Sequence, residues 1–82
     1  MLIDIEPYQR RKRFYQKHIQ YEKQCIVDCQ EMLTSPYPQD IPIARKGLAE
    51  HKRKLDSLEQ RLEELTLLEE CIKPLLTLNF EN

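Results

Sequence analysis

Between Pro7 and Thr34 the apolar side chains Tyr8, Tyr15, Ile19, Ile26, Cys29 and Leu33 recur at steps of seven, four, seven, three and four residues. That spacing keeps them on one face of a helix with about 3.6 residues per turn. Pro7 suits the first turn, where its missing N–H would have no helical partner anyway, and no further proline or glycine occurs before Pro36. The pattern predicts helix 1 over about residues 7–34, its stripe interrupted by Lys12 and Glu22. Ser35-Pro36-Tyr37-Pro38-Gln39-Asp40 then places two prolines in six residues. Each proline pushes the residue before it out of helical geometry, so the chain is expected to turn over residues 35–40.

Asp40 is a good N-cap, and Pro42 fits the first turn behind it. Ile41, Ala44, Leu48, His51, Leu55, Leu58, Leu62, Leu65, Glu69 and Ile72 then alternate steps of three and four, with His51 and Glu69 the polar members. This heptad seam predicts helix 2 over about residues 41–72. Pro74 removes a backbone donor and disfavours helical geometry at Lys73, which predicts the helix end there. An apolar tail over 74–80 remains, expected to cover the open end of a hairpin together with Leu2, Ile3 and Ile5. The fold class read from the pattern is all-α, a single domain over residues 1–82 built as a coiled-coil-like antiparallel hairpin. Its seam sets Ile19, Ile26 and Leu33 against Leu48, Leu55, Leu58, Leu62 and Leu65.

Charge fixes the expected orientation. If the chain folds back at residues 37 and 38, residue i of helix 1 stands near residue 75 minus i of helix 2. Residues 9–23 carry Arg10, Arg11, Lys12, Arg13, Lys17 and Lys23 against Glu22, a balance of +5. Residues 56–70 carry Asp56, Glu59, Glu63, Glu64, Glu69 and Glu70 against Arg61, a balance of −5. An antiparallel hairpin brings these blocks together, whereas a parallel one would stack like charges. Each exposed pair is worth only about 0–1 kcal/mol, so the pattern selects orientation more than it adds stability.

Composition narrows the function classes. The 82-residue, 9.9 kDa chain has one glycine, no tryptophan and 33% charged residues, which excludes a Gly-rich nucleotide loop, a collagen repeat and a membrane span. Its formal net charge is −1, so any attraction for nucleic acid must be local. Three cysteines at no disulfide-framework spacing, behind an N-terminus without signal-peptide character, point to a reducing, cytoplasmic setting.

The candidate chemistry is sparse. Cys25 and Cys29 share a helix face, and the fold-back expectation places His51 opposite Gln24 and Cys25. Thiolate and imidazole at that spacing suit zinc, but Glu22 is the one nearby fourth candidate and there is no CxxC knuckle. Buried small cysteines and a register-setting His51 are therefore expected, with no metal and no cofactor, and Cys71 is read as packing. Ser35 and Ser57 have no neighbouring histidine in sequence, His18 lies at the edge of helix 1, and an enzyme is not expected. Arg10, Arg11, Lys12, Arg13 and Lys17, interleaved with Phe14 and Tyr15, form the best phosphate or acidic-partner feature.

Asp40-Ile41-Pro42-Ile43-Ala44, with Leu48, His51 and the leucines after it, resembles the second helix of a spectrin-type repeat over about a third of the chain. The outline of helix, proline-bearing turn and helix is similar to the small hairpin chaperone subunits of bacterial type III secretion and to Rho-binding antiparallel hairpins. These resemblances imply a non-catalytic role in protein assembly and carry no site residues across.

Two facing stripes bury little surface for a chain of this size, and Phe14, Tyr21, Val27, Met32, Ile43, Leu67 and Leu68 lie off the seam. The expected function is a protein interaction module, an adaptor, small chaperone or assembly subunit. Dimerisation or a partner would complete a helical bundle, with Tyr8, Phe14, Tyr21, Leu67 and Leu68 as contact residues. The alternative is a nucleic-acid-associated helical protein using the basic end of helix 1.

Overall fold

The structure, a computed structural model, describes the backbone of residues 5–81 and the side chains of residues 5–74. Helix α1 spans Glu6–Met32 and helix α2 spans Asp40–Glu81, joined by a turn over 33–39. They pack side by side as an antiparallel hairpin measuring 67 × 14 × 13 Å. The 42 residues of α2 account for that length, since an α-helix rises about 1.5 Å per residue. Among the described residues, no helix is long and apolar enough to cross a membrane.

Local chemistry sets the helix ends. Pro7 stands in the first turn of α1 and Glu6 supplies negative charge there, which the helix dipole favours. The last carbonyls of α1 are closed by tight bonds: Thr34 N–H donates to Glu31 at 3.0 Å and Ser35 N–H to Met32 at 3.1 Å. The Thr34 hydroxyl adds a 2.7 Å bond to Glu31 O. Ser35 Oγ then donates to Asp40 Oδ2 at 2.7 Å and accepts from Tyr37 N–H at 3.2 Å. The turn is thus clasped by its own polar side chains.

The inward face of each helix follows the seven-residue repeat. On α1 and its C-cap, Tyr8, Lys12, Tyr15, Ile19, Glu22, Ile26, Cys29 and Leu33 are buried or half-buried. On α2 the matching set is Ile41, Ala44, Leu48, His51, Leu55, Leu58, Leu62, Leu65, Glu69 and Ile72. The core is thin: among the described residues the buried apolar side chains are Ile19, Ala44 and Leu65.

Three expectations need correction. Helix 1 stops at Met32 rather than at residue 34, because Leu33 and Thr34 are drawn into the tight closing bonds ahead of Pro36. Asp40 is already helical and gives its carboxylate to Ser35, while the carbonyls of Tyr37 and Pro38 take the first amides of α2. Helix 2 does not end at Lys73; it continues through Pro74 to Glu81. A single proline deletes one bond of the helical ladder at a cost of about 3 kcal/mol. The leucine-rich residues after it are good helix formers with no glycine to stop them. Residues 75–80 are therefore helical rather than a separate tail, and Leu2 and Ile3, expected over the open end, lie outside the described residues.

Candidate functional site

The seam is polar at four places, and the fold joins them in two pairs. Lys12 Nζ lies 3.1 Å from Glu69 Oε2, and His51 Nδ1 lies 2.5 Å from Glu22 Oε2. Both carboxylates are buried, Glu22 at 7% and Glu69 at 6% exposure, as seam positions demand. Among the described residues no buried side-chain nitrogen or oxygen lacks a partner. The Lys12 contact falls six residues beyond the simple fold-back expectation of position 63.

Near the turn the two cysteines part company. Cys29 projects into the seam against Gly47, where a Cβ would stand 2.8 Å from its Sγ. The chain's one glycine is thus a notch that seats a thiol and lets the helices approach closely. Cys25 lies beside the seam. Its Sγ, a Glu22 carboxylate oxygen and a His51 ring nitrogen all fall within 4.8 Å of one another. Tyr21, one turn back, is held above its ordinary value of 10.0, first by its hydrogen bond with Cys25 and then by the charge available to Cys25 and Glu22. His51 was expected opposite Gln24 and Cys25; it keeps Cys25 and takes Glu22, while Gln24 bonds to Asp28 at 2.9 Å.

The seam has two dissimilar flanks. Naming its positions a and d, with Ile19 and Ile26 at a on α1 and Leu48, Leu55 and Leu62 at a on α2, an antiparallel pair sets g beside g and e beside e. Among the described side chains the e positions are polar: Gln9, Gln16, Lys23 and Gln30 on α1, and Arg45, Lys52, Glu59, Thr66 and Lys73 on α2. The g flank is different. On α1 it brings Arg11, His18, Cys25 and Met32 next to the outer row of Phe14 and Tyr21, and on α2 it carries Gly47, Lys54, Arg61 and Leu68. Phe14 stacks near His18 with centroids 4.3 Å apart and meets Tyr15 edge-on at 5.8 Å. A groove lined by Arg11, Tyr15, Arg61, Glu64, Leu65 and Leu68 runs along this flank. A second hollow, farther along α1, is lined by Lys17, His18, Tyr21 and Glu22.

The structure places the five expected contact residues unequally. Phe14, Tyr21 and Leu68 share the g flank and are exposed at 56%, 61% and 48%. Tyr8 is half-buried in the seam, and Leu67 sits on the other side beside Glu59, Leu62 and Thr66. The basic run is divided around the helix. Arg10 and Arg13 both reach Glu6, at 3.9 and 3.4 Å, and Lys12 enters the seam. Arg11 shares its groove with Glu64, and Lys17 shares its hollow with Glu22. Ser35 is engaged by Asp40, and Ser57 and Cys71 are exposed on α2.

In the sequence Lys12, Glu22, His51 and Glu69 stand as separate polar interruptions of two apolar stripes. Their opposite charges were the available sign that they pair. Comparison with protein-family models, with curated proteins and with solved structures finds no match to this chain.

Proposed function

We propose that the chain is a non-catalytic interaction module that docks through the g flank of its hairpin. The observation that carries this reading is the asymmetry of the two flanks. One has polar e positions and, in its outer rows, the isolated apolar side chains Val27 and Leu67; the other exposes Phe14, Tyr21 and Leu68 beside a groove built by both helices. An aromatic row is poorly spent on water, and large aromatic and aliphatic side chains are the usual anchors of protein interfaces. The thin core adds to the argument, because a second layer of helices on this flank turns a half-covered seam into a bundle interior. The first occupant to test is a second copy of the chain, which supplies two amphipathic helices and closes a four-helix bundle by a twofold axis. A helical partner of another sequence, as for an adaptor or small chaperone, is the other outcome.

The nucleic-acid alternative draws less support. A phosphate-binding strip needs cations free to replace counterions, and here Lys12, Arg10 and Arg13 are directed to carboxylates of the same chain.

Light scattering tests the reading on the full chain and on a Phe14→Glu/Tyr21→Glu double variant. The expected mass is twice the 9.9 kDa of one chain, falling to one chain in the variant while far-ultraviolet circular dichroism keeps its helical signal. A wild-type dimer that survives both charges places the interface elsewhere and overturns the assignment of the g flank.

A further inference from the structure

We infer that Glu22, Cys25 and His51 form a binding site for a divalent transition ion of the zinc class, held across the two helices. The inference is independent of the docking reading above. The fold itself assembles the donor set: Glu22 and Cys25 stand one turn apart on α1, and His51 comes from α2. One oxygen, one sulfur and one nitrogen all lie within 4.8 Å of one another. A tetrahedral ion with bonds of about 2.0–2.3 Å spaces its ligand atoms about 3.3–3.8 Å apart, so rotations about side-chain bonds close the set without moving a helix. Oxygen-seeking magnesium and calcium are poorly served by a thiol and an imidazole, whereas zinc and cobalt accept all three donors.

The surroundings fit that assignment. Glu22 is a buried carboxylate whose partner, His51, neutralises it only when protonated. One divalent ion balances the carboxylate and a Cys25 thiolate together and leaves the imidazole neutral, which removes the cost of an unmatched buried charge. Cys25 has no packing duty comparable to that of Cys29, which fills the notch at Gly47. Cys25 and His51 are half-buried, and Glu22 lines the hollow that holds Lys17, His18 and Tyr21. The fourth coordination position therefore opens onto the g flank, to water or to a side chain of whatever docks there.

The test uses the full chain, reduced and stripped with chelator, titrated with cobalt(II) and then with zinc. The expected result is one ion per chain, with tetrahedral ligand-field bands and a thiolate-to-cobalt charge-transfer band that zinc abolishes. Cys25→Ser removes the charge-transfer band, and Cys29→Ser and Cys71→Ser retain it. Glu22→Gln and His51→Gln each weaken binding by more than about a hundredfold. Cys25 lies off the seam, so its variant keeps its helical circular dichroism and remains informative even if the seam variants unfold. Absence of a charge-transfer band in the folded wild-type chain, or a band lost with Cys29→Ser and kept with Cys25→Ser, overturns the site.

Discussion

The two polar crossings of the seam look alike in outline and differ in what surrounds them. In each, a buried acid meets a shallower base: Glu22 under His51, with side chains 9% and 24% exposed, and Glu69 under Lys12, at 8% and 30%. The outer crossing ends on a long flexible ammonium near the open end of the hairpin. The inner crossing ends on a rigid ring between the Cys29–Gly47 notch and Cys25, with Tyr21 adjoining. Both fix which residue faces which, since a slipped register leaves a carboxylate buried without a partner. Only the inner one also gathers three different donor atoms beside a surface groove. The same device of a polar pair in an apolar seam thus serves register at one level and offers chemistry at the other.

The comparison breaks most completely at the apolar stretch between the crossings. Leu58→Asp puts a charge into the apolar stretch of the seam, and should unfold the hairpin, abolishing the cooperative helical melt followed by circular dichroism. A variant that melts like wild type would remove Leu58 from the seam. Next in size is His51→Leu, which strands the Glu22 carboxylate and should cost about 3 kcal/mol in denaturant unfolding. Adding Glu22→Leu should restore most of that loss, because a well-packed apolar pair often equals a buried ion pair. If the double variant is no more stable than His51→Leu, the pair is not the unit described.

Lys12→Met probes the outer crossing; it strands Glu69, a carboxylate as buried as Glu22, and should likewise cost about 3 kcal/mol. A negligible loss would show that Glu69 is not held by Lys12 in the seam. The smallest effect sharpens the account of the notch. Gly47→Ala gains helix propensity of about 1 kcal/mol but crowds Cys29 Sγ. The net change in the wild type should be near zero, whereas in a Cys29→Ala background the same substitution should stabilise by about 1 kcal/mol. Equal effects in both backgrounds would show that the two residues do not touch.

The hairpin, its turn and the inward face of both helices were legible because each rests on local rules: three-and-four spacing, prolines at residues 36 and 38, and opposite charge runs. The extension of α2 past Pro74 was not, because a proline reads as a stop whenever its own cost is weighed without the helix-forming leucines after it. The candidate site was half legible. Cys25, Cys29 and His51 stood out by type and spacing, yet a spacing of four does not tell a seam position from its neighbour. One register assigns Cys29 to the notch and gives the third donor to Glu22. The contrast between the flanks depends on the same register: e and g are defined only once the seams of both helices are paired.

The most direct test of the docking flank is the thermal midpoint measured over a wide range of chain concentration. It would be followed for the wild type, for Phe14→Glu/Tyr21→Glu on the g flank and for Gln16→Glu/Lys23→Glu on the e flank. A chain that buries its aromatic row against a second copy melts at a temperature that rises with concentration. The rise should persist in the e-flank variant and vanish in the g-flank variant. Midpoints independent of concentration in all three, with equal stabilities, would contradict a buried aromatic flank in a self-assembled bundle.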